Sequence, residues 1–284
     1  MTVVFLIVSA ASMVLQNCFF NSFSKSAPRT SKEITYFNCF TYVVCILLFG
    51  ILTLIQQSIS IFTVITGFIF GFLTANSYTN RMKALSKGPM NITLLITTSS
   101  MIIPTLSGIF FGEGFSLPKL CGVIVLLFFI YLSLGTGKGS AFDKSWFLFS
   151  LLAFFCQGFI GVMQKIHQAS QYKEETGGFL LMAFVFSMIY SFFMLGKGVK
   201  TTKIENKYKI FSVACGVFVF AMNYLNLLLS GMLPSQLFFP LVNGSSIIIS
   251  TLISVLLFKE TLTKKQLIGV CGGIACLIAI CLLP

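Results

Sequence analysis

The chain has 284 residues, of which 56% are hydrophobic and 9% charged, with a mean hydropathy of +0.96 and a net charge of +12. Its 19 Lys and Arg and 7 Asp and Glu are too few to clothe a soluble domain of this size, so most of the surface must meet lipid. The basic residues sit in short breaks between apolar runs, where they set membrane orientation; this placement argues against a nucleic-acid partner.

A bilayer core about 30 Å thick needs roughly 20 apolar residues per helix, and that ruler predicts an all-α membrane protein with ten transmembrane helices. The first span, 2–22, has no Lys or Arg before it and is interrupted by Gln16 and Asn17, so it reads as a retained helix rather than a cleaved signal. Further spans follow at 35–55, 61–83, 89–111 and 119–135, then at 145–165, 178–196, 208–230, 234–258 and 265–283. The longest breaks, 23–34, 166–177 and 197–207, leave no room for an extramembrane domain. Continuous apolar runs, with no alternation, exclude an outer-membrane barrel. In lipid, helices satisfy their own backbone, so the many Val, Ile and Phe do not argue for strands.

The nine cysteines all fall inside apolar runs and none forms a CxxC pair. They read as small buried hydrophobes, with no disulfide framework, metal set or redox role. No cofactor is expected. "GTGKGS" at Gly135 lacks the spacing of a phosphate-binding loop and falls in a connector.

One sentence is written twice. "SSMIIPTL" from Ser99 and "SSIIISTL" from Ser245 agree in six of eight letters, and "FGEGFSLPKLCGV" from Phe111 answers "FKETLTKKQLIGV" from Phe258. "NSYTN" at Asn76 resembles "NYLN" at Asn223, each leading to a proline that opens the next span, Pro89 and Pro234. The unit is therefore five spans, residues 1–140 and 141–284. Five is odd, so a second copy enters the membrane from the opposite face and the two halves become inverted repeats.

The ten spans, the prolines before spans four and nine, and the closure "FxExxxxxxLxG" at Glu113 and Glu260 resemble the EamA-type branch of the drug/metabolite transporter superfamily. The resemblance covers essentially the whole chain. It implies a transporter of small metabolites with a central cavity lined mainly by spans 1, 3, 4, 6, 8 and 9, without implying which metabolite.

Neutral polar residues are plentiful on those spans. Gln16 and Asn17, with Asn21, lie on span one; Asn76, Tyr78 and Asn80 on span three; Thr98 and Ser99 on span four. Gln157 and Gln164 share a face of span six, Asn223, Tyr224 and Asn226 lie on span eight, and Asn243 and Ser245 on span nine. Separations of three, four or seven put Asn17 with Asn21, Asn76 with Asn80, Gln157 with Gln164 and Asn223 with Asn226 on shared helix faces. An amide-lined and hydroxyl-lined chamber is the functional reading; interhelical hydrogen bonding, worth about 0.6 kcal/mol each in membranes, is the structural one.

All seven carboxylates, Glu33, Glu113, Asp143, Glu174, Glu175, Glu205 and Glu260, lie in loops or at helix ends. A proton-coupled drug exporter working through a carboxylate buried in mid-membrane is therefore disfavoured. Glu113 and Glu260 read as turn chemistry, with Ser116 and Thr263 as helix caps. Arg81, Lys83 and Lys165 close spans, where such side chains commonly reach to the headgroups, and His167 reads as a loop residue. Turned inward, Arg81 would favour an anionic group. Gly67 and Gly71 have the spacing of closely packed helices, and Pro104 and Pro240 should kink their spans.

Of the 19 Lys and Arg, only Lys119, Lys165 and Lys173 lie at even-numbered connections. The positive-inside rule then puts odd connections in the cytoplasm and both termini outside, the reverse of what the resemblance suggests. The expectation is a monomeric, multi-pass cell-membrane transporter, not an enzyme, moving a small neutral, zwitterionic or anionic metabolite by alternating access. A facilitative channel or pore is the competing class.

Overall fold

The computed structural model describes residues 1–25, 30–88, 90–114, 116–133, 143–195, 205–258 and 263–283. Every regular element among them is helical. The order is α1 (Thr2–Lys25), α2 (Ser31–Gln56), α3 (Ile61–Lys87), α4 (Met90–Ser99), α5 (Ile102–Ser107), a 3-10 turn (Gly108–Phe111), α6 (Leu117–Ser133), α7 (Lys144–Gln168), α8 (Thr176–Leu195), α9 (Asn206–Met232), α10 (Ser235–Phe258) and α11 (Lys264–Leu282).

Short polar residues start these helices. Thr30 and Glu33 form a reciprocal capping box on α2, Ser60 caps α3, Asp143 caps α7 through the Ser145 N–H at 2.8 Å, and Thr263 and Gln266 repeat the box on α11. Each satisfies backbone donors that the first turn cannot, worth about 1 kcal/mol. Among the described residues, eight helical stretches are long and apolar enough to cross a membrane, and Leu117–Leu132 and Ser235–Ile249 are apolar but shorter. The chain is thus a multi-helical membrane protein.

Several helices outrun their predicted ends. α3 continues to Lys87, four residues past the apolar run, because Ala84 and Leu85 are buried and Lys is a good helix former. His167 is not in a loop: it lies in the last turn of α7, fully buried and stacked on Phe179 with ring centroids 4.3 Å apart.

Span four is broken. Ser100 and Met101 separate α4 from α5, and their N–H groups bond carbonyls three residues back, at Thr97 and Thr98. Pro104 supplies no N–H to the carbonyl four residues earlier, at Ser100, and the freed Ser100 carbonyl takes Ile103 N–H at 3.0 Å instead. Its counterpart α10 has Ser at 250 and runs unbroken through it; Pro240 lies near its start.

Packing joins the first half of the chain to the second. α1 lies against α9 as α7 lies against α3; α2 lies against α8; α2 meets α9 as α8 meets α3; α6 lies against α11. α1 also meets α10 as α7 meets α4 and α5. Exchanging each helix for its counterpart five spans on maps these contacts onto one another. The closest approach uses the predicted glycines: a Cβ on Gly71 would sit 2.2 Å from the Ala183 carbonyl oxygen, and one on Gly67 2.9 Å from Met182 Cβ.

Two hydrophobic cores result. One gathers Phe20, Phe37, Phe49, Phe70, Phe184 and Val219 from α1, α2, α3, α8 and α9; the other gathers Leu126, Phe238, Ile248 and Ile280 from α6, α10 and α11. Outward faces are equally apolar, with Ile51, Phe68, Phe128, Phe193 and Ile210 exposed. A soluble protein rarely leaves such continuous apolar surface uncovered.

The helix ends form two distinct layers. At the basic end, Lys87 donates to Ser145 Oγ at 3.1 Å and Gly88 lets the chain pass beside the Trp146 ring. At the opposite end, Gln56 holds Thr176 and Gly177, and the Glu175 carboxylate accepts from Ser60 N–H at 2.8 Å and from the Thr63 hydroxyl. Burial pushes the Glu175 carboxyl up, but these hydrogen bonds outweigh it and hold the group below its ordinary range.

Candidate functional site

Where the two cores meet, α1, α5, α7, α9 and α10 line a partly open cavity of about 40 Å³. Gln157 and Gln164 of α7, Asn223 and Asn226 of α9 and Asn243 of α10 line it, with Ser100 from the break between α4 and α5. Its apolar wall includes Met13, Met101, Phe238 and Phe239. A water needs about 10–15 Å³ on this scale, so the space holds a few waters and no metabolite.

The lining amides are positioned by neighbours. Gln157 Oε1 accepts from Ser77 Oγ of α3 at 3.0 Å, Asn223 Nδ2 reaches the Tyr78 hydroxyl at 3.5 Å, and Asn226 Oδ1 accepts from Ser9 of α1. Asn223 and Asn243 also donate to carbonyls four residues back, Val219 and Phe239. α3 therefore stands one layer behind the cavity and orients two of its five amides. Gly161 is needed for the close packing of this wall: a Cβ there would come within 2.8 Å of Pro104 and 2.9 Å of the Phe239 ring.

Of the fifteen residues singled out from the sequence, Gln157, Gln164, Asn223, Asn226 and Asn243 share this cavity. Tyr78 is buried behind it, and Gln16 is buried with Nε2 unpaired. Asn17 is half-buried with Oδ1 unpaired. Asn76 and Asn80 are elsewhere: they line a separate groove of about 160 Å³ between α2, α3 and α8, with Ser31, Lys32, Thr79, Lys83 and Tyr190. The Tyr190 hydroxyl donates to Asn76 Oδ1 at 3.3 Å. Ser99 and Ser245, the repeated pair, both bond a carbonyl of their own helix, at Leu95 and Leu241, and line neither space. Thr98 is buried outside the lining, and Tyr224 stacks in parallel on Phe220. Arg81 does not reach for the headgroups; it is 6% exposed.

Lys165 and Glu113 form an ion pair that the spans' sequence did not announce. Lys165 Nζ meets Glu113 Oε1 at 2.5 Å and the Leu233 carbonyl at 2.9 Å, while Glu113 Oε2 accepts from Ser235 N–H at 2.6 Å. Gln236 adds a bond from Ser116 N–H at 3.1 Å. Glu113 is folded back into place by Gly112, whose φ is +73°, and by Gly108, where a Cβ would lie 2.3 Å from Oε2. The cluster ties the turn after α5, the end of α7 and the start of α10 together, directly beyond the cavity wall formed by Pro104, Gln164 and Phe238. It stands at the end opposite the basic connections. One signal was present in the sequence: this end holds few Lys and Arg, and Lys165 directly follows Gln164.

His167, one turn from Gln164, has both ring nitrogens buried without hydrogen-bond partners. Among the described residues, no group of His, Cys, Asp and Glu could hold a metal ion.

The fold and this site define a polytopic helical membrane protein with a small amide-lined cavity between its helices. No family profile and no curated protein matches the sequence. A solved crystal structure superposes with a TM-score of 0.73 at 14% identity, covering 98% of this chain and 96% of that one. At that identity the likeness is one of fold.

Proposed function

We propose that the protein is a secondary transporter, built as ten spans in two inverted five-span repeats, that moves a small neutral, zwitterionic or anionic metabolite by alternating access. The observation that carries this reading is the amide-lined cavity between the two halves of the chain, with Lys165 and Glu113 beyond its wall at one end. The exchange symmetry of the helix contacts supports the repeat, and the break at Ser100–Met101 on the cavity wall supplies a hinge. The cavity as it stands is too small for a metabolite, so a substrate enters only when the helices part on one side. Opening the end distal to the basic connections requires the Lys165–Glu113 pair to separate; opening the other requires the aromatic packing of Phe20 and Tyr78, ring centroids 5.2 Å apart, to loosen.

The reading is tested by counterflow in proteoliposomes loaded with a panel of metabolites. Saturable exchange supports it, and conductance at ion-channel rates would establish a pore instead. Orientation follows the basic connections, with both termini outside; a C-terminal reporter active only in the cytoplasm would overturn that assignment.

A further inference from the structure

Arg81 is a buried cation without a counter-ion. An arginine cannot shed its charge in a protein, and a charge buried within a membrane span is costly, so it persists where it is paired or functional. Among the described residues, nothing hydrogen-bonds or ion-pairs with Arg81, and its Nε is buried and unsatisfied. Four carboxylates are committed elsewhere, Glu113 to Lys165 and Ser235, Glu175 to Ser60 and Thr63, Asp143 to Ser145 and Glu33 to Thr30, while Glu174 and Glu205 are exposed. Glu260 lies outside the described residues.

The position of Arg81 is as telling as its isolation. It stands on the face of α3 that carries Ser77 and Tyr78, one turn nearer the basic end. Ser77 and Tyr78 are the residues that hold Gln157 and Asn223 of the cavity wall. On the two helices that pack against α3, α1 leaves Gln16 Nε2 and Asn17 Oδ1 unpaired, and α2 leaves Asn38 Oδ1 unpaired while Asn38 Nδ2 donates to Thr79 of α3 at 3.3 Å. Buried polar atoms are normally satisfied; orphans on adjoining helices together with an unpartnered guanidinium fit a ligand bearing both charge and hydrogen-bonding groups.

We infer that Arg81 is the anchor for an oxyanion, a carboxylate or phosphate group of the transported molecule, at the basic end of the central cavity. The inference rests on the transporter reading for the word substrate, and it narrows that reading to anionic metabolites. A planar guanidinium fork engages either group through two parallel bonds, which an ammonium cannot reproduce.

Two measurements on the purified full-length protein in detergent test the site apart from transport. In a buffer with constant chloride, Arg81→Met raises the melting temperature above wild type, because it removes an uncompensated charge while keeping most of the side chain's volume. A lower melting temperature would show that the guanidinium is already satisfied within the protein and would overturn the proposal. In the second, succinate and inorganic phosphate are titrated separately at fixed ionic strength, with succinamide as the neutral match for succinate. Wild type shows a saturable upward shift with one or both anions and none with succinamide, the responding arm naming carboxylate or phosphate. Arg81→Gln weakens half-saturation at least ten-fold, Arg81→Lys weakens it less, and Lys83→Gln leaves it unchanged. No saturable shift in wild type, or an equal shift in Arg81→Gln, sinks the site. If the Arg81-dependent shift persists while counterflow is absent with every solute, the transporter reading fails and the anion site stands. If counterflow of a neutral solute is unaffected by Arg81→Gln, the reverse holds.

Discussion

Removing either member of the Lys165–Glu113 pair should not cost the same. Glu113→Gln leaves Lys165, whose side chain is 7% exposed, with neutral carbonyl acceptors only and no counter-charge. Breaking a buried pair from one side costs about 3–5 kcal/mol, and the 19% exposure of Glu113 argues for about 3, the low end, because water screens part of the loss. Lys165→Met leaves Glu113 with its Ser235 N–H bond at the start of α10. A charge-assisted hydrogen bond of that kind is worth about 1.5–3 kcal/mol and the helix terminus adds about 0.3–1. Methionine meanwhile refills the space of the lysine stem. Lys165→Met should therefore cost about 1 kcal/mol, some 2 less than Glu113→Gln, which is on the order of a 30-fold difference in the folding equilibrium. Trp146 is the only tryptophan, and its indole N–H bonds Thr93 at 2.8 Å, so its fluorescence follows equilibrium unfolding in micelles without added label. A cycle completed by the double variant isolates the coupling. Equal losses, or a larger loss for Lys165→Met, would refute the assignment of α10's first turn as the second holder of Glu113.

Further outcomes follow from the same geometry. Asn223→Ala removes a cavity amide and should lower counterflow about ten-fold, within the range expected for a buried hydrogen-bonding group, whereas Asn76→Ala, in the separate groove, should change it less than about two-fold; equal losses would merge the two spaces into one pathway. Gly71→Ala forces a Cβ into the Ala183 carbonyl and should destabilise by about 1–3 kcal/mol. Gly50→Ala, with open space around its added carbon, should stabilise by up to about 1 kcal/mol through helix propensity, as read from the same Trp146 unfolding curves. Glu175, held below its ordinary range chiefly by Thr63 and Ser60 against the opposing effect of burial, contributes stability that is complete above the unfolded value near about 4.3 and is lost as pH falls through its lower folded value. Glu175→Gln should flatten that acid limb of the melting temperature, and an unchanged limb would assign it to other groups.

Much of the fold could be read from the sequence because lipid simplifies the problem. Apolar length alone locates the helices, and the recurrence of SSxIIxTL locates span four against span nine. Hydropathy could not place the helix ends: polar residues such as Lys87 and His167 continue a helix whenever its next turn still packs, and that depends on neighbours such as Trp146 and Phe179. Periodicity grouped Asn76 with Asn80, and Asn223 with Asn226, on single faces. It could not say which face met the cavity, because in membranes an amide serves equally well between two helices or along a chamber.

The repeated sentence has the same limit and a further use. Ser99 and Ser245 agree in letter and in structure, each bonding its own helix one turn back, and for that reason neither reaches the cavity. What reaches it is set by the letters that differ. Pro104 in place of Ser250 breaks the ladder at Ser100, turns Ser100 and Met101 into cavity wall, and lays the proline ring against Gly161, where a Cβ would not fit. α10 runs unbroken through Ser250, with its proline, Pro240, nearer the start, and offers Asn243. The two halves thus meet the cavity differently, and the broken wall belongs to the half that also carries Glu113. On the proposed alternating-access reading, parting that ion pair and bending at Ser100 are movements of one short segment, α5 with its following turn, so distal opening leaves the remaining helices packed.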